Sequence, residues 1–338
     1  MNSLSQRFRS AGVLVIGDVM LDEYVVGSVS RICPEAPVPI LDIRSRYSSA
    51  GGAANVAMNV AGLGATVHLI GLAGRDTAGL TLRQLLRERS IPDDGLVDAG
   101  DRGTITKTRI VAGQQQICRV DHEVTTDAMG PSLKSLIDAV EGLIDSCSVV
   151  VLSDYAKGTL TDDLCDFVIS LARKLNKAVI VDPKSRTFAK YRGCTVITPN
   201  LAEASLAAGV SIDSEFSLHT AANTLMHHLP GTSILITRGP DGMALFERGS
   251  EPVLFPTVAR TVFDVVGAGD TAVATLAVAL AAGLPLRDAV VWANVAAGIV
   301  VEKHGTASVN IQELLRHETS AELPRNIQHN GTHQMLSA

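Results

Sequence analysis

The 338 residues carry a net charge of −6, with 46% hydrophobic and only 4% aromatic side chains. A chain of this length buries a sizeable core, and its wealth of Ala, Val, Leu and Gly suits helices packed on a sheet better than an all-β sandwich. No Lys/Arg block gives a nucleic-acid footprint, and the five cysteines form no C-x-x-C pair for zinc and no even-numbered disulfide framework. No uncharged apolar run reaches the roughly 20 residues of a membrane span.

The N-terminal MNSLSQRFRSAG lacks the apolar core of a secretory signal, so a reducing cytosol is the expected compartment. The apolar run 13–16 then predicts a buried parallel strand ending in Gly17-Asp18, a carboxylate at a strand end where ligands bind. From Met20 to Ile43, β-branched residues and prolines without a helical period predict edge strands and turns, an excursion from the main sheet. In AGGAANVAMNVAGLG (50–64), Gly51 and Gly52 open a small-residue helix, followed by the strand VHLIGLAG and the amphipathic helix GLTLRQLLRERS. Alternation over 103–123 predicts a hairpin around Gly113, which pairs with the excursion as one small sheet.

From Pro131 the pattern becomes regular: helix 131–145, strand VVVLSDY, helix 161–175, strands AVIVD and TVITPN, helices from Leu201 and over 215–228, and strand SILITRG. This alternation predicts an α/β fold, a doubly wound, mostly parallel sheet with helices on both faces. Short strands over 243–262 and two apolar helices, TAVATLAVALAAG and AVVWANVAAGIVV, complete a unit spanning 11–316. Residues 317–338, poor in apolar side chains, predict a mobile tail.

The chemistry centres on DVVGAGDTA (264–272). Gly267, Ala268 and Gly269 leave bare N–H groups at a helix start, which suits an anion, yet Asp270 follows at once. Three readings compete. Asp270 is a first-turn acidic residue favoured by the helix dipole; or the stretch is a G-x-G-x-x-A dinucleotide turn; or it is a phosphoryl-transfer site in which the loop holds the phosphoryl group and Asp270 takes the proton of the attacking hydroxyl. The dinucleotide reading fits poorly, because no clean buried strand precedes the turn and a carboxylate inside it repels a pyrophosphate. Phosphoryl transfer gives both the hole and the carboxylate a purpose. The chain has neither a Walker G-x-x-x-x-G-K-[ST] nor the H-R-D and D-F-G set of protein kinases.

AGGAANVAMNVAGLGATVHLIGLAG and DVVGAGDTA together resemble the two signature patterns of the ribokinase, or PfkB, family of carbohydrate kinases, in the right order and about two hundred residues apart. The resemblance implies an ATP- and Mg²⁺-dependent kinase with a small β-sheet lid, formed here by about 19–44 and 103–123. It makes Asp270 the base and the N–H groups of Ala268, Gly269 and Asp270 the anion hole. Gly51, Gly52 and Asn55 match the sugar-binding motif, and Asp18 stands where the family places a carboxylate against substrate hydroxyls, with Asp22 and Asp154 in the same group. Asn200 and Glu203 match an N-x-x-E motif that organises Mg²⁺ and the ATP phosphates, although the same spacing is that of a helix capping box. Thr237, Arg238, Gly239 and Gly242 are implied against the nucleotide, with Asn294 and Ala297 flanking adenine, although Ala and Asn on an apolar helix also serve as packing. Asp264, Gly305 and Ser308 lie where ligands of a monovalent cation such as K⁺ would come from.

Within the family, SRICPEAPVPILDI, LSDYAKGTL and ITPNLAE are similar to kinases that phosphorylate the anomeric hydroxyl of D-glycero-β-D-manno-heptose 7-phosphate for ADP-heptose and lipopolysaccharide synthesis. A phosphorylated sugar needs cations at its far end. Arg31, Lys107, Arg109 and Arg119 on the expected lid strands and Lys157 are the candidates, against the alternative that they are solvated edge charges. The expected partners are the sugar phosphate, ATP and a second copy paired through the lid strands, with neither nucleic acid nor membrane. Rival readings are another sugar or nucleoside kinase of the family, or a non-catalytic sugar or nucleotide sensor on the same fold.

Overall fold

Leu4 and Phe8 lie one helical turn apart and both are buried, which anchors a first helix, α1 (Ser3–Arg9), that the sequence pattern does not announce. The structure, a computed structural model, describes residues 3–259, 261–303, 308–317 and 325–326. After α1 come β1 (Gly12–Gly17), β2 (Val19–Ile32) and β3 (Pro39–Gly52), then α2 (Ala53–Gly62), β4 (Thr66–Ala73), α3 (Thr77–Glu88) and β5 (Leu96–Asp98). The stretch 19–44, expected as edge strands and turns, holds β2, the turn after it and the start of β3, the edge strand, in a hairpin whose two strands are each 14 residues long. Gly51 and Gly52 close β3, and Gly52 is at the same time the N-cap that opens α2, as expected. The expected hairpin around Gly113 is present as β6 (Thr106–Ala112) and β7 (Gln115–His122).

The second half runs α4 (Gly130–Leu143), β8 (Val149–Ser153), α5 (Asp162–Lys174), β9 (Ala178–Asp182), β10 (Val196–Ile197), α6 (Leu201–Ala208), α7 (Glu215–His228) and β11 (Ser233–Thr237). It ends with β12 (Met243–Phe246), β13 (Val253–Phe255), α8 (Ala268–Ala281), α9 (Leu286–Val301), α10 (Ile311–Arg316) and β14 (Arg325–Asn326). Strand structure expected through 262 stops at Phe255. Of the expected tail, only His317 and the pair Arg325–Asn326 lie within the described residues.

Ten strands form one sheet in the order β14-β13-β12-β11-β10-β9-β8-β1-β4-β5. From β5 to β11 every pairing is parallel, and β12, β13 and β14 add an antiparallel edge. Alternation along β1 shows why helices cover both faces. Val13 and Val15 enter a core packed with α2, α8 and α9, whereas Leu14 and Ile16 enter the opposite core with α4, α5 and α7. A separate four-stranded sheet, β3-β2-β6-β7, grows from the end of β1 and overhangs the ends of the parallel strands. Among the described residues no helix is long and apolar enough to cross a membrane.

Candidate active site

A cavity of about 360 Å³ lies between the two sheets, with Gly267, Gly269 and Asp270 at its floor. Gly267 caps α8 in the left-handed conformation (φ 81°), a turn that glycine adopts without strain and that brings the helix start to the cavity. The N–H groups of Gly269 and Asp270 meet no protein acceptor among the described residues. The N–H of Ala268 already makes a long 3.3 Å turn contact with the Val265 carbonyl, so the expected set of three free donors is reduced to two.

The Asp270 carboxylate is held from both sides. Its Oδ2 accepts from Asn55 Nδ2 at 2.6 Å and its Oδ1 accepts from the Tyr155 hydroxyl. Burial nevertheless outweighs these bonds and, with the charge of Asp22, pushes the carboxyl up to about 6, where a general base is ionised at neutral pH and still basic. Asn55 is fixed in its turn. Asn59 Nδ2 donates to its backbone carbonyl at 2.9 Å, and Asn59 Oδ1 accepts from Thr271 Oγ1 at 3.0 Å, locking α2 to α8 across the base.

Toward the small sheet, the cavity wall is bare backbone. A Cβ on Gly51 would stand 2.5 Å from Asp22 Oδ2, and one on Gly52, at φ 59°, would stand 2.3 Å from the Asp18 carbonyl. Asp22 is buried and takes an Arg109 N–H at 2.5 Å, while the Arg109 guanidinium lies 5.3 Å over the Tyr24 ring, which stacks on Tyr47. Lys107 pairs with Asp121 and Glu123, and Arg119 with Asp121. Lys107, Arg109 and Arg119 line the cavity together with Asp22, Gly51, Gly52 and Asn55.

Four expected sugar contacts fall elsewhere. Asp18 is fully buried, and both its oxygens are engaged by backbone N–H groups of Tyr155, Lys157 and Thr159, so it fastens a loop and does not face the cavity. Asp154 turns away to Lys190, at 2.6 Å, and to the Tyr191 hydroxyl, at 2.5 Å. Arg31 is exposed nine residues further along β2 than Asp22, about 30 Å away at strand spacing. Lys157 is behind the lining residues, 2.7 Å from Glu123.

At the opposite end, Asn200 caps α6 in a complete capping box: Asn200 Oδ1 accepts from the Glu203 N–H at 2.9 Å, and Glu203 Oε2 accepts from the Asn200 N–H at 3.0 Å. Capping is not their only placement, because the two residues also line the cavity with Thr237. Glu203 Oε1 takes Lys184 Nζ at 2.7 Å. Asp182, at the end of β9, is pushed well above the usual carboxylate range by burial and then by Asp270 and Glu203. Tyr155, Asp182, Lys184 and Thr198 all line this cavity and were not expected there. For Asp182 a signal existed, a carboxylate closing an apolar parallel strand, the same signal that singles out Asp18.

Among the described residues no group of three His, Cys, Asp or Glu side chains converges to hold a metal. Asp182 and Glu203, which both line the cavity, offer hard oxygen donors of the kind that hold Mg²⁺ through one or two carboxylates together with substrate phosphates.

The remaining nucleotide-side expectations are spread out. Arg238, Gly239 and Gly242 form the turn after β11, where Gly242, at φ 80°, lies with its Cβ position 2.0 Å from the Phe255 carbonyl, a backbone crossing and not a cavity wall. Asn294 Nδ2 donates to the Pro256 carbonyl at 2.7 Å and holds the segment after β13, and Ala297, three residues on, is half-buried on the same helix. Of the three expected ligands of a monovalent cation, Asp264 accepts through Oδ1 from the Val266 N–H, and the Ser308 carbonyl accepts from Lys303 Nζ. Gly305 lies outside the described residues.

Comparison with known proteins bears on the family and the fold. A sequence model of the pfkB family carbohydrate kinases matches residues 10–313. The chain is 47% identical over 308 residues to the bifunctional protein HldE of Gluconacetobacter diazotrophicus, and 42% identical over 315 residues to that of Syntrophotalea carbinolica. It covers 91% and 93% of itself in these matches but only 64% of either relative's length. Among solved structures, Arabidopsis thaliana ribokinase complexed with ribose and ATP superposes with a TM-score of 0.72 at 20% identity, covering 91% of this chain and 98% of that one. The tetrameric inhibited form of Escherichia coli phosphofructokinase-2 gives 0.75 at 18% identity, covering 92% and 99%; both show the shared fold. With an ionisable carboxylate at an anion-ready helix start and a family match over nearly the whole length, the chain belongs to the pfkB family of carbohydrate kinases, phosphotransferases that act on a sugar hydroxyl.

Proposed function

We propose that the chain is an ATP-dependent kinase of D-glycero-β-D-manno-heptose 7-phosphate, forming the 1,7-bisphosphate on the route to ADP-heptose and the lipopolysaccharide core. The observation that carries the reading is the polarity of the cavity. A base beside free helix N–H groups lies at the floor, Lys107, Arg109 and Arg119 stand at the small-sheet end, and Asn200 and Glu203 stand at the other. Lys157 stands outside the cavity lining but pairs with Glu123, so the wider cluster sets four cations against three carboxylates, Asp22, Asp121 and Glu123, and its net positive charge of one favours a sugar phosphate. The resemblance of the chain to HldE proteins favours the heptose branch.

In this reading Asp270 takes the C1 hydroxyl proton as that oxygen bonds to the γ-phosphorus of ATP and the bond to the ADP oxygen breaks. The N–H groups of Gly269 and Asp270 hold the transferring phosphoryl oxygens without reorganising. Mg²⁺, when bound with ATP near Asp182 and Glu203, neutralises phosphate charge. The small sheet acts as a lid that closes over the sugar and keeps water from accepting the phosphoryl group. Exposed apolar residues along that sheet, among them Ile43, Tyr47 and Val120, support a homodimer formed through it.

The test is ADP release with a panel of free and phosphorylated sugars, for wild type and Asp270→Asn. The heptose 7-phosphate should lead the panel by at least tenfold, and Asp270→Asn should lose about 10²–10⁴ in kcat, the usual contribution of a general base. Equal turnover of an unphosphorylated sugar overturns the substrate, and unchanged turnover in Asp270→Asn overturns the base.

A further inference from the structure

The loop after β8 is shaped with unusual firmness. Asp18 Oδ2 accepts the N–H groups of Tyr155 at 2.9 Å and Lys157 at 3.0 Å, and Oδ1 accepts that of Thr159 at 3.0 Å. Ala156 sits between these anchors at φ 56°, a conformation that residues with a Cβ seldom adopt, and its N–H is held by Asp154 Oδ1 at 2.7 Å. A non-glycine residue persists there only when its surroundings over-determine the backbone. What the loop presents to the cavity is Tyr155, half-buried, with its hydroxyl on Asp270 Oδ1.

We infer that Tyr155 is a positioning residue for Asp270: with Asn55 on the other oxygen it fixes the carboxylate plane, and Asp18 holds the loop that aims it. The inference rests on Asp270 being the base. Burial keeps the Tyr155 phenol well above its ordinary range, so it stays protonated and remains a donor at every working pH. Each carboxylate oxygen then keeps a lone pair for the incoming hydroxyl, in a plane set before substrate arrives.

A donor on a carboxylate favours the ionised form, so removing it should make Asp270 titrate higher and move the acidic limb of activity toward higher pH. The other charged groups facing the cavity are Asp22, Lys107, Arg109 and Arg119 from the small sheet, Asp182 at the end of β9, Lys184 in the loop after it and Glu203 on α6. All are retained in Tyr155→Phe, and the ionisation of the sugar phosphate is common to both enzymes. The comparison therefore isolates the hydroxyl.

The experiment is the pH profile of kcat/KM for wild type and Tyr155→Phe in the full chain, together with the carboxyl titration of Asp270 by carbon-13 NMR, assigned with Asp270→Asn. Both should rise by about one pH unit in Tyr155→Phe, giving roughly a tenfold loss below the limb and near-parity above it. A packing role alone would lower activity evenly across pH. Replacing the four tyrosines with 3-fluorotyrosine, a stronger donor of nearly the same size, should move both down. Superimposable profiles with an unmoved titration, alongside an inactive Asp270→Asn, overturn this inference alone. Turnover retained in Asp270→Asn overturns the base and the inference with it.

Discussion

Gly51→Ala isolates the closeness of the cavity wall. Its φ is not left-handed, so alanine meets no backbone strain, but the new Cβ lands 2.5 Å from Asp22 Oδ2 and 2.9 Å from Met20 Cγ. Reaching ordinary contact requires the carboxylate to retreat by about 1 Å. Asp22 is 6% exposed and bonded to Arg109 at 2.5 Å, so it cannot move without lengthening that pair. Loosening a half-buried ion pair costs about 1–2 kcal/mol, or roughly 2–6 °C in Tm for a chain of this size. A misplacement of about 1 Å at a positioning group costs on the order of 100-fold in rate. We expect kcat/KM for the sugar phosphate to fall by that factor in an ADP-release assay, with KM for ATP little changed, since Asn200, Glu203 and Thr237 belong to other elements. Gly142→Ala is the control, because a Cβ there meets nothing within 4 Å. A folded Gly51→Ala enzyme with full kcat/KM for the sugar would refute the argument that this wall needs a glycine.

Two further outcomes follow from the assignments above. Asp18→Asn replaces a fully buried carboxylate that accepts three N–H groups with an amide that turns donors toward donors, so thermal unfolding should fall by several degrees, about 3–5 kcal/mol; an unchanged Tm would show that the clasp is dispensable. Ile43→Glu with Val120→Glu, two exposed positions on the small sheet, should convert a dimer to monomers in sedimentation velocity, and a wild type already monomeric at micromolar concentration removes the dimer from the proposal.

Most of the main sheet is legible because burial leaves a plain record. Val149–Ser153 and Ala178–Asp182 are apolar runs that only a two-sided core explains. The loop 267–270 is legible for another reason: small residues that leave N–H groups bare at a helix start, with a carboxylate directly after them, form a short local pattern that needs no tertiary information to read. The small sheet is less legible. Along β7 every residue is exposed, so no alternation marks its faces, and β3 hides its length behind polar residues. Strand ends mislead in a specific way. Asp18 and Asp182 both close buried parallel strands, yet Asp182 faces the cavity and Asp18 is consumed by a loop 137 residues away in sequence. Which carboxylate finds a backbone partner is decided by tertiary closure, and nothing near Asp18 in the chain announces it.

The short span from Gly51 to Asn55 joins the end of β3 directly to α2 without an intervening loop. Its first residue lies against the sugar's expected seat and its last holds the base. Evolution of this protein toward another sugar therefore has little freedom there, because an insertion that reshapes the seat also rotates Asn55 off Asp270. Changes in substrate preference are channelled to the outer strands of the small sheet, around Tyr47 on β3 and Arg119 on β7, away from the residues that hold Asp270.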